Sequence, residues 1–126
     1  MAVAVLLVDH GSRRADAHEG LIGAGGRLEQ LLQARGSATR IIEIAHMELC
    51  EPSVAEGFRR CVERGAARVL VIPCFLSRGR HVTDDIPAQA AAAAAPFPDV
   101  HYEISPPLVE LPGFTEMLAV FVESSG

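Results

Sequence analysis

Residues 2–8, AVAVLLV, hold no polar side chain. A strand with one wetted face alternates apolar and polar positions, whereas an unbroken run fits a strand covered on both faces. Such strands belong to parallel sheets, whose crossover helices lie above and below. ARVLVIP at 67–73 repeats the pattern, and RIIEIAH at 40–46 and VHYEI at 100–104 read as two more strands.

The intervening segments read as helices. From about Ala15 to Ala34, Leu21, Leu28, Leu31 and Leu32 recur at helical spacing, and Gly36 supplies a stop. Gly23, Gly25 and Gly26 lie inside this stretch, each costing up to about 1 kcal/mol relative to alanine, so a break or a close packing contact is expected there. In EPSVAEGFRRCVERG, Ser53 and Glu56 have capping-box spacing, Val54, Phe58, Cys61 and Val62 share a face, and Gly65 ends the helix. An alanine-rich stretch to Ala95 follows, with Pro87 near its first turn and Asp84 as its expected cap. The last helix begins near Pro112 or Gly113 and places Phe114, Met117, Leu118, Phe121 and Val122 on one face. Four strands alternating with four helices predict an α/β fold: a single doubly wound domain, residues 1–126, with a four-stranded parallel sheet flanked by helices.

In open α/β sheets ligands bind beyond the carboxyl ends of the strands. LLVDHGSRR at 6–14 puts His10 on that rim after the first strand, and FLSRGRH at 75–81 puts His81 there after the third. An imidazole in a cleft accepts a proton near neutral pH or binds a divalent transition metal through a ring nitrogen. A lone loop histidine reads better as one bonded to its neighbours; a second at a strand end weakens that reading. Glu48, in HMELCEPS after the second strand, is open between an ordinary exposed carboxylate and a partner for the histidines, and Glu51 competes with it. Asp9, Asp84 and Asp85 flank the histidines and suit orienting or capping roles. His18, His46 and His101 read as structural.

Charge narrows the partners. The net charge is -5 and all 11 basic residues are arginine, which excludes the basic face that nucleic-acid binding needs. Arg13, Arg14, Arg78 and Arg80 nevertheless gather in the two histidine segments with Ser12 and Ser77. Their guanidinium forks suit carboxylates or phosphates. The three cysteines form no CxxC pair, so reduced thiols are expected rather than a disulfide framework or a zinc knuckle. No apolar run approaches the roughly 20 residues of a membrane span, and the N-terminus lacks a signal-peptide pattern, so a soluble, cytoplasmic chain is expected. GAGG at 23–26 is no dinucleotide fingerprint, because it falls inside a helical pattern.

Together, LLVDHGSR, HMELCEPSVAEGF and VLVIPCFLSRGRHVTDDIP resemble the short-form sirohydrochlorin chelatases, the CbiX-like branch of the class II chelatases. The resemblance spans nearly the whole chain, and the last block is its most specific part. It implies insertion of Co²⁺ or Fe²⁺, with Ni²⁺ behind them, into sirohydrochlorin, a carboxylate-bearing tetrapyrrole, on the way to cobalamin or sirohaem. His10 and His81 fall on the family's two histidines and Glu48 on its acidic partner. The metal is then a substrate, no organic cofactor is needed, and the arginines meet the ring's carboxylates. Many relatives carry two such lobes in one chain; a single lobe implies a homodimer. Two other functions fit the residues: a metal- or tetrapyrrole-carrying protein without turnover, and a flavodoxin-like module for a phosphorylated ligand, which gives the histidines no role.

Overall fold

The computed structural model describes residues 2–76, 79 and 84–126. Its strands are β1 (Val3–Asp9), β2 (Ile41–His46), β3 (Arg68–Pro73) and β4 (His101–Ile104). Its helices are α1 (Ala15–Ala34), α2 (Val54–Glu63), α3 (Ile86–Ala94) and α4 (Phe114–Ser125), with a short 3-10 turn at Leu108–Glu110. The strands are parallel and lie in the order β2-β1-β3-β4.

This order explains the apolar run at the N-terminus. β1 sits inside the sheet between β2 and β3, and Ala4 through Val8 are all buried. Right-handed crossovers running in opposite directions from β1 and β3 put helices on opposite faces. Leu21, with half-buried Leu28 and Leu32, packs from α1 onto Val5, Leu7 and Ile42. On the other face α2 and α3 bring Val54, Phe58, Cys61, Ile86 and Ala93 onto Ala4, Leu6 and Val8. Each fully buried Val, Leu or Phe contributes about 1.5–3 kcal/mol of transfer free energy. Phe58 anchors this face, its ring 6.1 Å from Phe97 and 6.2 Å from Tyr102.

The helices refine the sequence reading. α1 runs unbroken through its glycines, and Gly25 is a close contact: a Cβ there would lie 3.2 Å from Ile44 Cγ2. Leu31 leaves the apolar stripe and is 49% exposed. The Ser53 hydroxyl accepts the Glu56 N–H as expected, but the Ser53 N–H is taken by Glu51 Oε2, so half of the capping box forms. Asp85 rather than Asp84 stands at the N-cap of α3, with Pro87 in the first turn and no side-chain cap bond. α4 has no buried residue, so its apolar face does not help cover the sheet. Among the described residues, no helix is long and apolar enough to cross a membrane.

Candidate active site

The crossover from β1 leads to β2 on one side and that from β3 to β4 on the other, so the strand order reverses between the carboxyl ends of β1 and β3. A cleft forms at such a point because the flanking loops part in opposite directions. His10 follows β1 directly, and Phe75 after β3 stands edge-on to it at 6.5 Å between ring centroids. His10 Nε2 lies 3.5 Å from Glu48 Oε1, with the two side chains 44% and 56% exposed.

The backbone holds this pair. Beyond the strands, the Met47 N–H donates to Asp9 O at 3.0 Å and the Glu48 N–H to His10 O at 3.2 Å. Gly11 permits that approach: its φ is +100°, and a Cβ would fall 1.9 Å from the Glu48 carbonyl oxygen. The His46 N–H reaches Pro52 O at 2.9 Å across the loop, and Gln89 Nε2 of α3 donates to Met47 O at 3.3 Å. Inside this closure Leu49 sits at a φ of 73°, a left-handed conformation that costs a non-glycine residue about 1–2 kcal/mol. The strained loop presents Glu48 to His10. Imidazole and carboxylate make a donor set of intermediate softness that leaves coordination positions open.

Behind this pair lies a group whose connection the sequence does not reveal. His46 is 1% exposed; its Nδ1 meets Asp9 Oδ1 at 2.5 Å and its Nε2 meets His18 Nδ1 at 2.8 Å. One ligand atom from each of His18, His46 and Cys50 lies within 4.8 Å of the others. The sequence placed His46 at a strand end and His18 in a helix. Only the pairing of Asp9 with His46 across β1 and β2, and the rotation of α1, bring the three together.

The arginine segment opens α1. The Arg14 N–H donates to Ser12 Oγ at 3.1 Å, and the Arg14 guanidinium makes two 3.1 Å bonds to the Asp16 carboxylate. That guanidinium holds the Asp16 carboxyl below its usual range. Arg13 is exposed. Ser12, Arg13, Arg14, His18, Cys50 and Glu51 line an open cavity of about 500 Å³. Glu51 faces the entry of α2 through its bond to Ser53. His101 is exposed on β4. His81, Ser77, Arg78 and Arg80 lie outside the described residues.

The CbiX family profile matches residues 4–124. The chloroplastic sirohydrochlorin ferrochelatase of Arabidopsis thaliana is 42% identical over 106 residues, which are 82% of this chain and 44% of that protein. The crystal structure of the sirohydrochlorin chelatase SirB from Bacillus subtilis subspecies spizizenii in complex with cobalt matches with a TM-score of 0.72 and 33% identity, over 86% of this chain and 44% of that one. The CbiX protein of Marinobacter aquaeolei VT8 matches with a TM-score of 0.70 and 27% identity, over 98% of this chain and 96% of that one. The chain spans about half the length of the named relatives it matches by sequence. Sequence and fold agree along almost its entire length: the chain belongs to the CbiX family.

Proposed function

We propose that this chain is a sirohydrochlorin chelatase that inserts Co²⁺ or Fe²⁺ into the ring for cobalamin or sirohaem synthesis. The observation that carries the reading is the His10–Glu48 pair at the strand-order reversal of a CbiX chain, with 3.5 Å between Nε2 and Oε1. Relatives named for iron and bound to cobalt support both metals.

The ring gains a divalent ion and loses two pyrrole N–H protons. His10 and Glu48, with His81 in the role that the resemblance gives it, hold the ion on one side and leave positions open for the pyrrole nitrogens. As the nitrogens take the metal, imidazole and carboxylate accept the released protons, a task suited to groups in reach of the ring and of solvent. Arg13 and Arg14, with Ser12, meet the ring's carboxylates, and Ser77, Arg78 and Arg80 join them in the role that the resemblance gives them. Arg14 can take a substrate carboxylate only by sharing or leaving Asp16. The three cysteines are free, which favours a reducing cytoplasm.

The working unit is a homodimer. Met117, Leu118, Val120, Phe121 and Val122 of α4 are 48–69% exposed. A second copy on this strip would bury it and bring two rims to one macrocycle, as two lobes do in a longer chain.

Protein, metal-free sirohydrochlorin and each ion are mixed and the visible spectrum followed against the uncatalysed rate; no acceleration with either ion removes the reading. Light scattering tests the assembly: Phe121→Glu should release monomers, and a stable active monomer of the unaltered chain refutes the dimer.

A further inference from the structure

We infer that His18, His46 and Cys50 form a second metal site, distinct from the His10–Glu48 pair, that takes a borderline divalent cation such as Co²⁺ or Zn²⁺. The inference stands apart from the proposed reaction, since it rests on donor geometry alone.

The three ligands come from three elements. His18 lies in the first turn of α1, His46 ends β2, and Cys50 belongs to the loop behind it. One donor atom from each lies within 4.8 Å of the others; bonds of about 2.0–2.3 Å to a tetrahedral ion set neighbouring donors roughly 3.3–3.6 Å apart, so small side-chain shifts close the three around one ion. Two imidazoles and a thiolate suit Zn²⁺ or Co²⁺ and do not suit Mg²⁺ or Ca²⁺, which take oxygen.

Asp9 supplies the independent sign. A ligating histidine usually donates its other ring N–H to a carboxylate, which fixes the tautomer and aims the free lone pair. The Asp9 carboxylate is 2.5 Å from His46 Nδ1, placed to accept an N–H from that nitrogen and leave Nε2, on the His18 side, for a metal. His46 Nε2 and His18 Nδ1 now lie 2.8 Å apart and share a hydrogen bond. A cation replaces this hydrogen bond: the proton between the two facing nitrogens leaves for the other nitrogen of His18 or for solvent, and the Cys50 thiol gives its proton to solvent.

The surroundings fit an ion with one exchangeable position. His46 closes the site from below at 1% exposure, and His18 and Cys50 open onto the 500 Å³ cavity. Strand alternation separates this site from the other. Val5 and Leu7 point to the α1 side of the sheet, so Asp9 continues toward α1 and His10 toward the opposite face.

The test is Co²⁺ titration of the reduced full chain, read by the thiolate-to-cobalt charge-transfer absorption. The unaltered protein and His10→Ala should both develop that band at one equivalent. Cys50→Ser should lose it while keeping its circular dichroism and melting temperature. His18→Ala should weaken cobalt binding roughly tenfold or more, at least what loss of a carboxylate partner costs a metal site. The inference is overturned if the unaltered protein gives no thiolate band at saturating Co²⁺, if the band survives Cys50→Ser, or if a folded His10→Ala loses it.

Discussion

Gly11→Ala tests whether backbone closeness is what places Glu48 against His10. Two effects add at this position. The φ of +100° is foreign to alanine, a strain of about 1–3 kcal/mol. The new Cβ would stand 1.9 Å from Glu48 O, where real Cβ contacts stay beyond 3.0 Å. The loop must therefore retreat by about 1 Å, a misplacement that costs an enzyme on the order of 100-fold in rate. Gly36→Ala separates the effects, because φ there is +69° but nothing lies within 4 Å of the added carbon. Thermal melting and the spectral insertion assay read both variants. At roughly 4 °C per kcal/mol for a chain of this size, strain alone lowers the melting temperature by about 4–12 °C in each. Gly11→Ala should melt lower still and lose on the order of 100-fold in insertion rate, while Gly36→Ala keeps its rate. If the two variants match in both measurements, the close approach of residue 11 to Glu48 does not position the site.

Other outcomes follow from the same geometry. Phe58→Ala should cost about 3–5 kcal/mol in urea unfolding, because the ring is 0% exposed and meets Phe97 and Tyr102; a loss under about 1 kcal/mol would contradict that packing. His10→Ala should abolish most metal insertion, and Glu48→Gln, which keeps the shape but loses the charge, should lower it less; full activity in either variant removes that residue from the site. Burial, helped by the Glu43 charge, pushes the Cys61 thiol from 9.0 up to about 12, and burial with Asp9 pushes Cys74 up to about 11. The unfolded thiols ionise above about pH 9 while the folded ones keep their protons, so stability should fall as pH rises from about 9 to 12. The chain has no lysine and one tyrosine, which leaves that window largely to the thiols. Urea midpoints at about pH 8 and pH 10 check the sign, and a higher midpoint at the alkaline value would refute it.

Much of the fold was legible because its signals are local. The unbroken run at 2–8 required two covered faces, and β1 has them. Ser53 marked the start of α2 through its own hydroxyl. His10 and Glu48 were placed on the rim because each follows a strand, yet spacing left Glu48 open between site and solvent. Family resemblance drew it in, and the structure sets it 3.5 Å from His10. α4 shows the opposite case: periodicity gave its apolar face, but nothing local says what that face meets, and it lies exposed.

The sequence by itself determined the alternation of strands and helices and the strand ends that carry chemistry, since both depend on side-chain periodicity over a few residues. Only the tertiary structure decided that Asp9, His46 and His18 meet, and that residue 11 touches Glu48. Those contacts depend on strand order, on the register that pairs Asp9 with His46, and on the rotation of α1 about its axis. Each is set by packing of the whole core, and no short stretch of chain encodes it.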